Sequence, residues 1–299
     1  MAIRQDVFDD FHLHGASAPE WAQRYVQLSP GRMHSALVET TVPGLHVFRK
    51  WMSERVVQQG CLPAGQLCFA MLNGTGAGQP WMQGRELGED LVFVLRAGQE
   101  FMLQRPPGME LLACSFDAED FRHRLDARPW SPAATALLAR PAVQAPAVLL
   151  QGLRAALLAA PSAAAVFAAL TDVFEAAAGP AQRLGQASAA YIVAECHRLI
   201  ATGGAAPPDI DALCRRLRTS RRSLQNGFRQ VADTTPVHYL RSLRLNAVRR
   251  RLLATSAGEL AVTEAAGDAG FDHLSHFSAR YRALFGELPS QTFRKTSPP

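Results

Sequence analysis

The stretch Ile210 to Val231, IDALCRRLRTSRRSLQNGFRQV, sets the fold of the C-terminal part of the chain. Its apolar spacing predicts a short helix, Ile210 to Leu217, then a tight break and a second helix. Asp209 and Ser220 precede the two helices, and such short polar side chains accept hydrogen bonds from a first helical turn. The second helix is predicted to bury Leu224, Phe228 and Val231. Two short helices with this spacing are typical of a helix-turn-helix unit.

The second helix also has a face without apolar residues. Arginine can pair bidentately with guanine, and glutamine or asparagine with adenine, so this face suits the base edges in the major groove of DNA. An ordinary solvent-exposed helix surface has the same composition and is the alternative interpretation. The residues of this face are Arg221, Arg222, Gln225, Asn226 and Arg229.

The same pattern returns further along the chain. A helix of small residues is predicted from Glu259 to Ala269, with a turn at Gly270. Asp272 is then expected to cap another helix, whose buried side carries Phe277, Tyr281 and Phe285. One long helix from Pro236 to Leu253 joins the two units, since proline favours the first helical position. The arginines predicted to face outward from it are Arg241, Arg244, Arg249, Arg250 and Arg251.

The N-terminal part shows short apolar or alternating runs separated by glycine and proline. Such spacing predicts a small antiparallel β-barrel. The predicted strands are Ala36 to Val42, Leu45 to Trp51, Leu67 to Leu72, Leu91 to Leu95, Glu100 to Gln104 and Glu110 to Phe116. A helix is expected from Asp117 to Leu125. The fold class is therefore α+β multidomain, and the expected domains are residues 1–130, 131–180 and 190–299.

The middle segment is rich in alanine and leucine and predicts two or three helices between Pro132 and Ala178. Its apolar stripe must be buried either on the barrel's own surface or on a second copy of the chain. The second copy is the favoured partner, so a homodimer is expected. Gly179 to Ala187 is expected to be a linker, followed by a helix from Tyr191 to Ala201. The stripe is formed by Leu150, Leu153, Leu157, Leu158, Val166, Phe167, Leu170, Val173 and Phe174.

Basic charge is concentrated at one end of the chain. Residues 190–299 hold 16 Arg or Lys against 9 Asp or Glu, whereas residues 1–189 hold 15 against 17. This asymmetry fits either a polyanionic partner or a solvated basic face. No apolar run reaches the ~18 residues of a membrane span. The 5 scattered cysteines form no CxxC pair, which favours a reducing cytoplasm.

The C-terminal third resembles the AraC/XylS family of transcription regulators. The specific match is Ala261 to Lys295, AVTEAAGDAGFDHLSHFSARYRALFGELPSQTFRK, and Leu213 to Leu252 resembles the family's first unit and connecting helix. The resemblance implies base readers at Arg222, Ser223, Gln225 and Asn226, and in the second unit at Leu274, Ser275, His276 and Ala279. Phosphate contacts are expected from Ser278, Arg280 and Arg282.

The resemblance also implies a cupin-like sensor barrel before this domain. Gln23 to Met33, QRYVQLSPGRM, is similar to the start of the sensor in regulators related to the ethanolamine-operon activator. We therefore expect a ligand-responsive activator that binds promoter DNA and a small-molecule effector, and that contacts RNA polymerase. No cofactor is expected. The aromatic residues that could line a ligand pocket are Trp51, Phe69, Trp81 and Phe93, although most of them are expected to be core.

A metal-dependent cupin enzyme and a thiol-reactive regulator are the two rival functions. A cupin oxygenase needs histidines and a glutamate on barrel strands, but His12 and His14 precede the predicted barrel and are expected to be exposed. No P-loop, dinucleotide fingerprint or GxSxG motif is present, so an enzyme is not predicted. The other rival is a thiol-reactive regulator that would use Cys61, Cys68 or Cys114.

Overall fold

The computed structural model describes residues 1–82, 85–159, 162–177, 188–202, 209–255 and 260–293. They belong to two compact units. The N-terminal unit comprises Met1–Arg24, His34–Ser53 and Gln58–Gly185, and the C-terminal unit comprises Tyr25–Met33, Glu54–Val57 and Gln186–Pro299. This division differs from the expected one, because two short segments of the early sequence group with the C-terminal helices. The predicted linker, 179–187, lies outside the described residues.

The strands include all six predicted runs and others that were not predicted. They are β1 (Ala2–Phe8), β2 (Arg24–Gln27), β3 (Ser35–Val42), β4 (Leu45–Met52), β5 (Val56–Cys61), β6 (Gln66–Gly74), β7 (Trp81–Met82), β8 (Arg85–Glu86), β9 (Leu91–Arg96), β10 (Glu100–Arg105), β11 (Glu110–Asp117) and β12 (Ala142–Gln144). A 7-stranded sheet has the order β1-β3-β4-β11-β6-β9-β12, and every neighbouring pair in it is antiparallel. A 5-stranded sheet has the order β2-β5-β10-β7-β8.

The 7-stranded sheet is covered on both faces. Side chains alternate between the two faces along a strand, so in β6 Phe69 and Met71 join one core while Ala70 and Leu72 join another. The second core is shared with strands of the 5-stranded sheet, through residues such as Leu103. Burial on both faces explains why the central strands read as nearly continuous apolar runs.

The first core is completed by helices of the same chain. The helices of the N-terminal unit are α1 (Phe11–Ala16), α2 (Ala118–Ala127), α3 (Pro132–Leu137), α4 (Ala147–Leu158) and α5 (Ala163–Ala177). The stripe residues Leu150, Leu153 and Leu157 of α4 pack in one cluster with sheet residues such as Phe69. The expectation that a second copy covers this stripe is therefore wrong, and only Leu158 of the stripe is exposed.

The C-terminal unit is mainly helical. In three of its helices, a side chain at the N-cap position accepts a hydrogen bond from the first helical turn. Its helices are α6 (Ser188–Thr202), α7 (Ile210–Leu217), α8 (Arg221–Ala232), α9 (Pro236–Ala254), α10 (Val262–Asp268) and α11 (Leu274–Phe285). Asp209 Oδ1 accepts a hydrogen bond from Ala212 N–H at 2.6 Å, and Ser220 Oγ accepts one from Ser223 N–H at 3.0 Å. Thr235 caps α9 in the same way. Local side chains thus fix where these helices begin.

The second helical pair differs from prediction at its boundaries. α10 begins at Val262, and Glu259 lies outside the described residues. Asp272 does not cap α11; His273 occupies the N-cap position and no side chain bonds to the first turn. The buried side of α11 is as predicted, with the Tyr281 ring 5.7 Å from Phe277 and 4.6 Å from Phe285.

The segments 25–33 and 54–57 are bonded to this helical unit. Gln27 Nε2 donates to the Leu284 carbonyl at 2.7 Å, and Gly31 N–H donates to the same oxygen at 3.1 Å. Arg55 forms an ion pair with Asp233 at 2.8 Å.

None of the helices within the described ranges has the length and apolar character needed to cross a bilayer.

Candidate nucleic-acid interface

The first helix pair is held rigidly by its buried side. Leu213 of α7 and Leu224 and Phe228 of α8 are all fully buried. Arg218, at φ 49°, takes the left-handed conformation that ends α7 and redirects the chain. Because the apolar face of α8 is inside, its polar face must point to solvent.

The exposed face of α8 carries the predicted base readers. Ser223 N–H is used in capping the helix, while the side chains at its exposed positions extend into solvent. This arrangement leaves guanidinium and amide donors free along one side of a fixed helix. The exposed residues are Arg221, Arg222, Ser223, Gln225, Asn226 and Arg229.

Arg221 differs from the other members of this face because it has an internal partner. Its Nε and Nη2 donate to the two carboxylate oxygens of Asp211 at 2.8 and 2.6 Å. These bonds lower the pKa of Asp211 and raise that of Arg221. The pair connects α7 to α8, so Arg221 helps to fix the two helices relative to each other.

The second helix pair, α10 and α11, exposes fewer hydrogen-bonding side chains than the first pair. Phe277 and Tyr281 anchor α11 inside the unit, and the predicted contact residues lie on its outer side. The side chains on that side offer few hydrogen-bond donors at the start of the helix and two guanidinium groups further along. The exposed residues are Leu274, Ser275, His276, Ala279, Arg280 and Arg282, with Ser278 half-buried.

The long helix α9 connects the two pairs and is not uniformly outward-facing. Its 19 residues span roughly 28 Å at 1.5 Å per residue. Arg249, predicted to face outward, is buried: it donates to Glu287 at 2.7 Å and lies 4.7 Å over the Phe285 ring. Arg241 and Arg244 are half-buried. The sequence could not show this, because arginine occupies both faces of the helix.

Residues 213–295 are similar to known protein domains. The family described as a helix-turn-helix domain matches residues 213–295. Residues 213–295 are therefore a helix-turn-helix domain. The chain is 43% identical over 86 residues to the XylDLEGF operon transcriptional activator of Pseudomonas putida, covering 29% of this chain and 27% of that protein. It is 35% identical over 88 residues to a probable thc operon regulatory protein of Rhodococcus erythropolis, covering 29% of this chain and 26% of that protein.

The matched region spans about a quarter of the length of those relatives. Among solved structures, the AraC-like transcriptional activator CuxR covers 86% of this chain and 96% of its own, with 14% identity and a TM-score of 0.41. The DNA-binding domain of AdpA in complex with a target DNA covers 34% of this chain and 86% of its own, with 23% identity and a TM-score of 0.28. Both TM-scores are below 0.5, so neither likeness establishes the fold.

Outside the helix-turn-helix domain, the N-terminal unit contains a buried polar network. Lys50 Nζ donates to Gln23 Oε1 at 3.1 Å, and Gln58 Nε2 donates to the same oxygen at 3.0 Å. Arg105 donates to Gln58 Oε1 at 3.3 Å and to the Lys50 carbonyl at 2.8 Å. Burial, with a smaller contribution from Arg105, lowers the pKa of Lys50 to about 8. The network places two cationic groups between the sheets, and sequence reasoning missed it.

The aromatic residues considered for a ligand pocket are mostly core. Phe69 and Phe93 are fully buried and belong to the two different cores, while Trp81 is buried and Trp51 is partly exposed. They therefore do not converge on one site. The hydrogen-bonded network around Lys50, unlike these aromatic residues, brings several polar side chains together within the N-terminal unit.

The histidines and cysteines argue against the rival functions. His14, expected to be exposed, is 1% exposed, and its Nδ1 lies 2.7 Å from Ser35 Oγ; His12 is half-buried. Within the described residues, no three His, Cys, Asp or Glu side chains are grouped as metal ligands. Burial raises the pKa of Cys68 to about 12 and that of Cys114 well above its usual value. Thiols that stay protonated are poor nucleophiles, which leaves half-buried Cys61 as the remaining candidate sensor thiol.

Proposed function

We propose that this protein is a sequence-specific DNA-binding transcription regulator, an activator that responds to a small molecule. The observation that carries the proposal is the exposed face of α8, where Arg222, Gln225 and Asn226 project from a helix whose other side is fully packed. The named relatives are transcription regulators, which agrees with the absence of enzyme motifs in the sequence.

The two helix pairs have different proposed roles. Arg222 reads a guanine and Gln225 and Asn226 read adenine edges in one major-groove segment, because these side chains match those bases in pairs of hydrogen bonds. α11 contributes mainly phosphate contacts, through Arg280 and Arg282. Leu274, Ser275, His276 and Ala279 face the bases with few donors, and Leu274 contacts a thymine methyl group.

The N-terminal unit is proposed as a cupin-like sensor for the effector. The buried cation Lys50 supports this role, since buried positive charge costs free energy unless it is compensated. No described carboxylate lies within ion-pairing distance of Lys50 Nζ. A homodimer and a contact with RNA polymerase remain parts of the proposal, and the dimer would use a surface other than the packed α4 and α5 stripe. A promoter-binding protein acts in the cytoplasm, on the nucleoid.

Selection of binding sites from random DNA tests this proposal. The full chain is incubated with a pool of random duplexes, and bound molecules are amplified over several rounds. We expect enrichment of a motif with one strongly defined block for α8 and a weaker block about one helical turn away. A pool that shows no sequence enrichment, despite binding, would contradict sequence-specific regulation.

A further inference from the structure

The helix-turn-helix domain contains a cavity lined by His276 and Arg280 of α11 and by residues of α9 that have no assigned DNA contact. It has a volume of about 390 Å³ and lies between the two helix pairs. Its walls come from the start of α7, the first half of α9, the turn that joins α10 to α11, and the first half of α11. We call it the arginine cleft, because Arg241, Arg244 and Arg280 all line it.

The charge of the three cleft arginines is not neutralised by an ion pair within the part of the chain that the structure describes. None forms an ion pair with a carboxylate of the described residues, although Asp209 and Asp272 also line the cavity. The Asp209 carboxylate is already used to cap α7. By contrast, two other arginines of α9 are paired, Arg249 with Glu287 and Arg251 with Asp268.

The position of Arg244 is especially informative. Its Nε is buried and has no hydrogen-bond partner among the described residues, and its Nη1 lies 3.8 Å from the position that a Cβ on Gly270 would take. The guanidinium is thus held against the turn of the second helix pair with an unused donor. A buried donor without a partner costs free energy until a ligand supplies an acceptor.

The other two arginines lie near each other. Burial lowers the pKa of Arg241, and the charge of Arg280 lowers it further. Two cations that repel one another and share a cavity are stabilised by an anion between them. Guanidinium groups bind phosphate oxygens through paired hydrogen bonds, so a phosphate group is the anion that this set of donors fits best.

We propose that the arginine cleft binds a phosphodiester group of the DNA backbone, in the spacer between the two segments contacted by α8 and α11. The proposal rests on the proposed DNA binding, and it adds a contact that fixes how both helix pairs sit on one duplex. The cleft is formed by both pairs and by α9, so a phosphate bound there would touch all three parts at once. Such a contact carries no base specificity.

The test compares DNA binding by the full chain and by variants of the cleft. Arg244→Gln is expected to weaken binding to specific and to random DNA alike, by roughly 5- to 50-fold, and to reduce the slope of log affinity against log salt by about 0.9. Arg122→Gln is the matched control, because it removes one exposed arginine from the N-terminal unit. Arg241→Gln repeats the test at a second cleft residue that has no other assigned DNA contact. Thermal unfolding of both variants shows whether they are folded, so that a folding defect cannot account for the result.

Neutral methylphosphonate linkages, placed one at a time across the spacer, locate the contact. We expect one position to weaken binding of the unchanged protein several-fold and to have no further effect in Arg244→Gln. Binding of both cleft variants within twofold of the unchanged protein, with an unchanged salt slope, would overturn the proposal.

Thermal melting with inorganic phosphate, against chloride at equal ionic strength, separates the DNA backbone from a small phosphorylated ligand. If phosphate stabilises the unchanged protein but not Arg244→Gln, and DNA affinity is unaltered in that variant, the backbone proposal is wrong. Equal affinity of the unchanged protein for specific and random DNA would instead contradict the proposed regulator, while the effect of Arg244→Gln on random DNA still decides the cleft.

Discussion

Gln27 and Asn246 are bonded to each other in both directions. Gln27 N–H donates to Asn246 Oδ1 at 3.0 Å, and Asn246 Nδ2 donates to the Gln27 carbonyl at 3.1 Å. The Asn246 side chain thus imitates a neighbouring strand and satisfies a buried peptide group. Because Asn246 belongs to α9, this pair ties the segment 25–33 to the helix that connects the two halves of the helix-turn-helix domain.

Replacing Asn246 with leucine is expected to destabilise the C-terminal unit. The buried N–H and carbonyl of Gln27 would lose their partners, at a cost of about 2 to 4 kcal/mol in the free energy of unfolding. Asn226→Leu is the matched control, because Asn226 is exposed on α8; a change within ~0.5 kcal/mol is expected there. Urea denaturation followed by circular dichroism measures both. Similar stability of the two variants would show that the pair contributes nothing.

Arg222→Ala is expected to lose discrimination at one base pair. A bidentate contact to a base is worth ~1 to 3 kcal/mol of discrimination, so the variant should weaken on the specific site more than on random DNA. Arg282→Ala is the comparison, since an exposed phosphate contact should weaken both DNAs alike and lower the salt slope by about one. Competition binding with single-base variants of the site measures this. Equal losses of Arg222→Ala on specific and random DNA would remove its role as a reader.

Arg249→Met is expected to cost more stability than Arg251→Met, although both residues lie on α9 and both form ion pairs at 2.7 Å. Arg249 is buried, so its loss leaves the half-buried Glu287 without compensation, at about 2 to 3 kcal/mol. Arg251 is half-buried beside the exposed Asp268, and such solvent-accessible pairs contribute below ~1 kcal/mol. Thermal or urea unfolding of the two variants gives the comparison. A larger effect at Arg251 would contradict the structural role assigned to Arg249.

Acid should destabilise the N-terminal unit through His14. Burial, and to a lesser degree the charges of Lys50 and Arg105, lower the pKa of His14 from 6.5 to about 2. Between these values the unfolded chain binds a proton that the folded chain does not, so stability is retained above pH 6.5 and falls as the pH decreases, by up to ~1.4 kcal/mol per pH unit.

His14→Gln should flatten this dependence, which is measured as the free energy of unfolding from pH 7 to pH 4. His123→Gln serves as the control, because His123 is exposed on α2. A pH profile of His14→Gln parallel to that of the unchanged chain would show that His14 does not report on acid unfolding.

The elements that were predicted correctly depend on residues that lie close together in the sequence. The bounds of α7 and the capping by Asp209 and Ser220 were predicted correctly, because apolar spacing and cap residues lie within a few positions of each other. The strand β1 was missed, since AIRQDVF has no regular apolar alternation and is largely exposed, and it becomes a strand by pairing with β3 along its whole length. β12 was missed because three residues beside prolines carry no periodicity.

Contacts between distant residues explain what the sequence could not show. Gln27 and Asn246 are 219 positions apart, so no local pattern predicts their pairing. The exposed faces of α8 and α11 followed from apolar spacing and from family resemblance, whereas the arginine cleft depends on how α7, α9 and α11 pack together. An arginine that lines a cavity and an arginine in water look the same in a sequence.

The most direct test of the central claim is the affinity of the full chain for its selected DNA site and for random DNA, measured across a range of salt concentrations. The account predicts a specific complex tighter by ~10³ or more, with a steep loss of affinity as salt increases. Weak binding of comparable strength to both DNAs would contradict sequence-specific regulation by this protein.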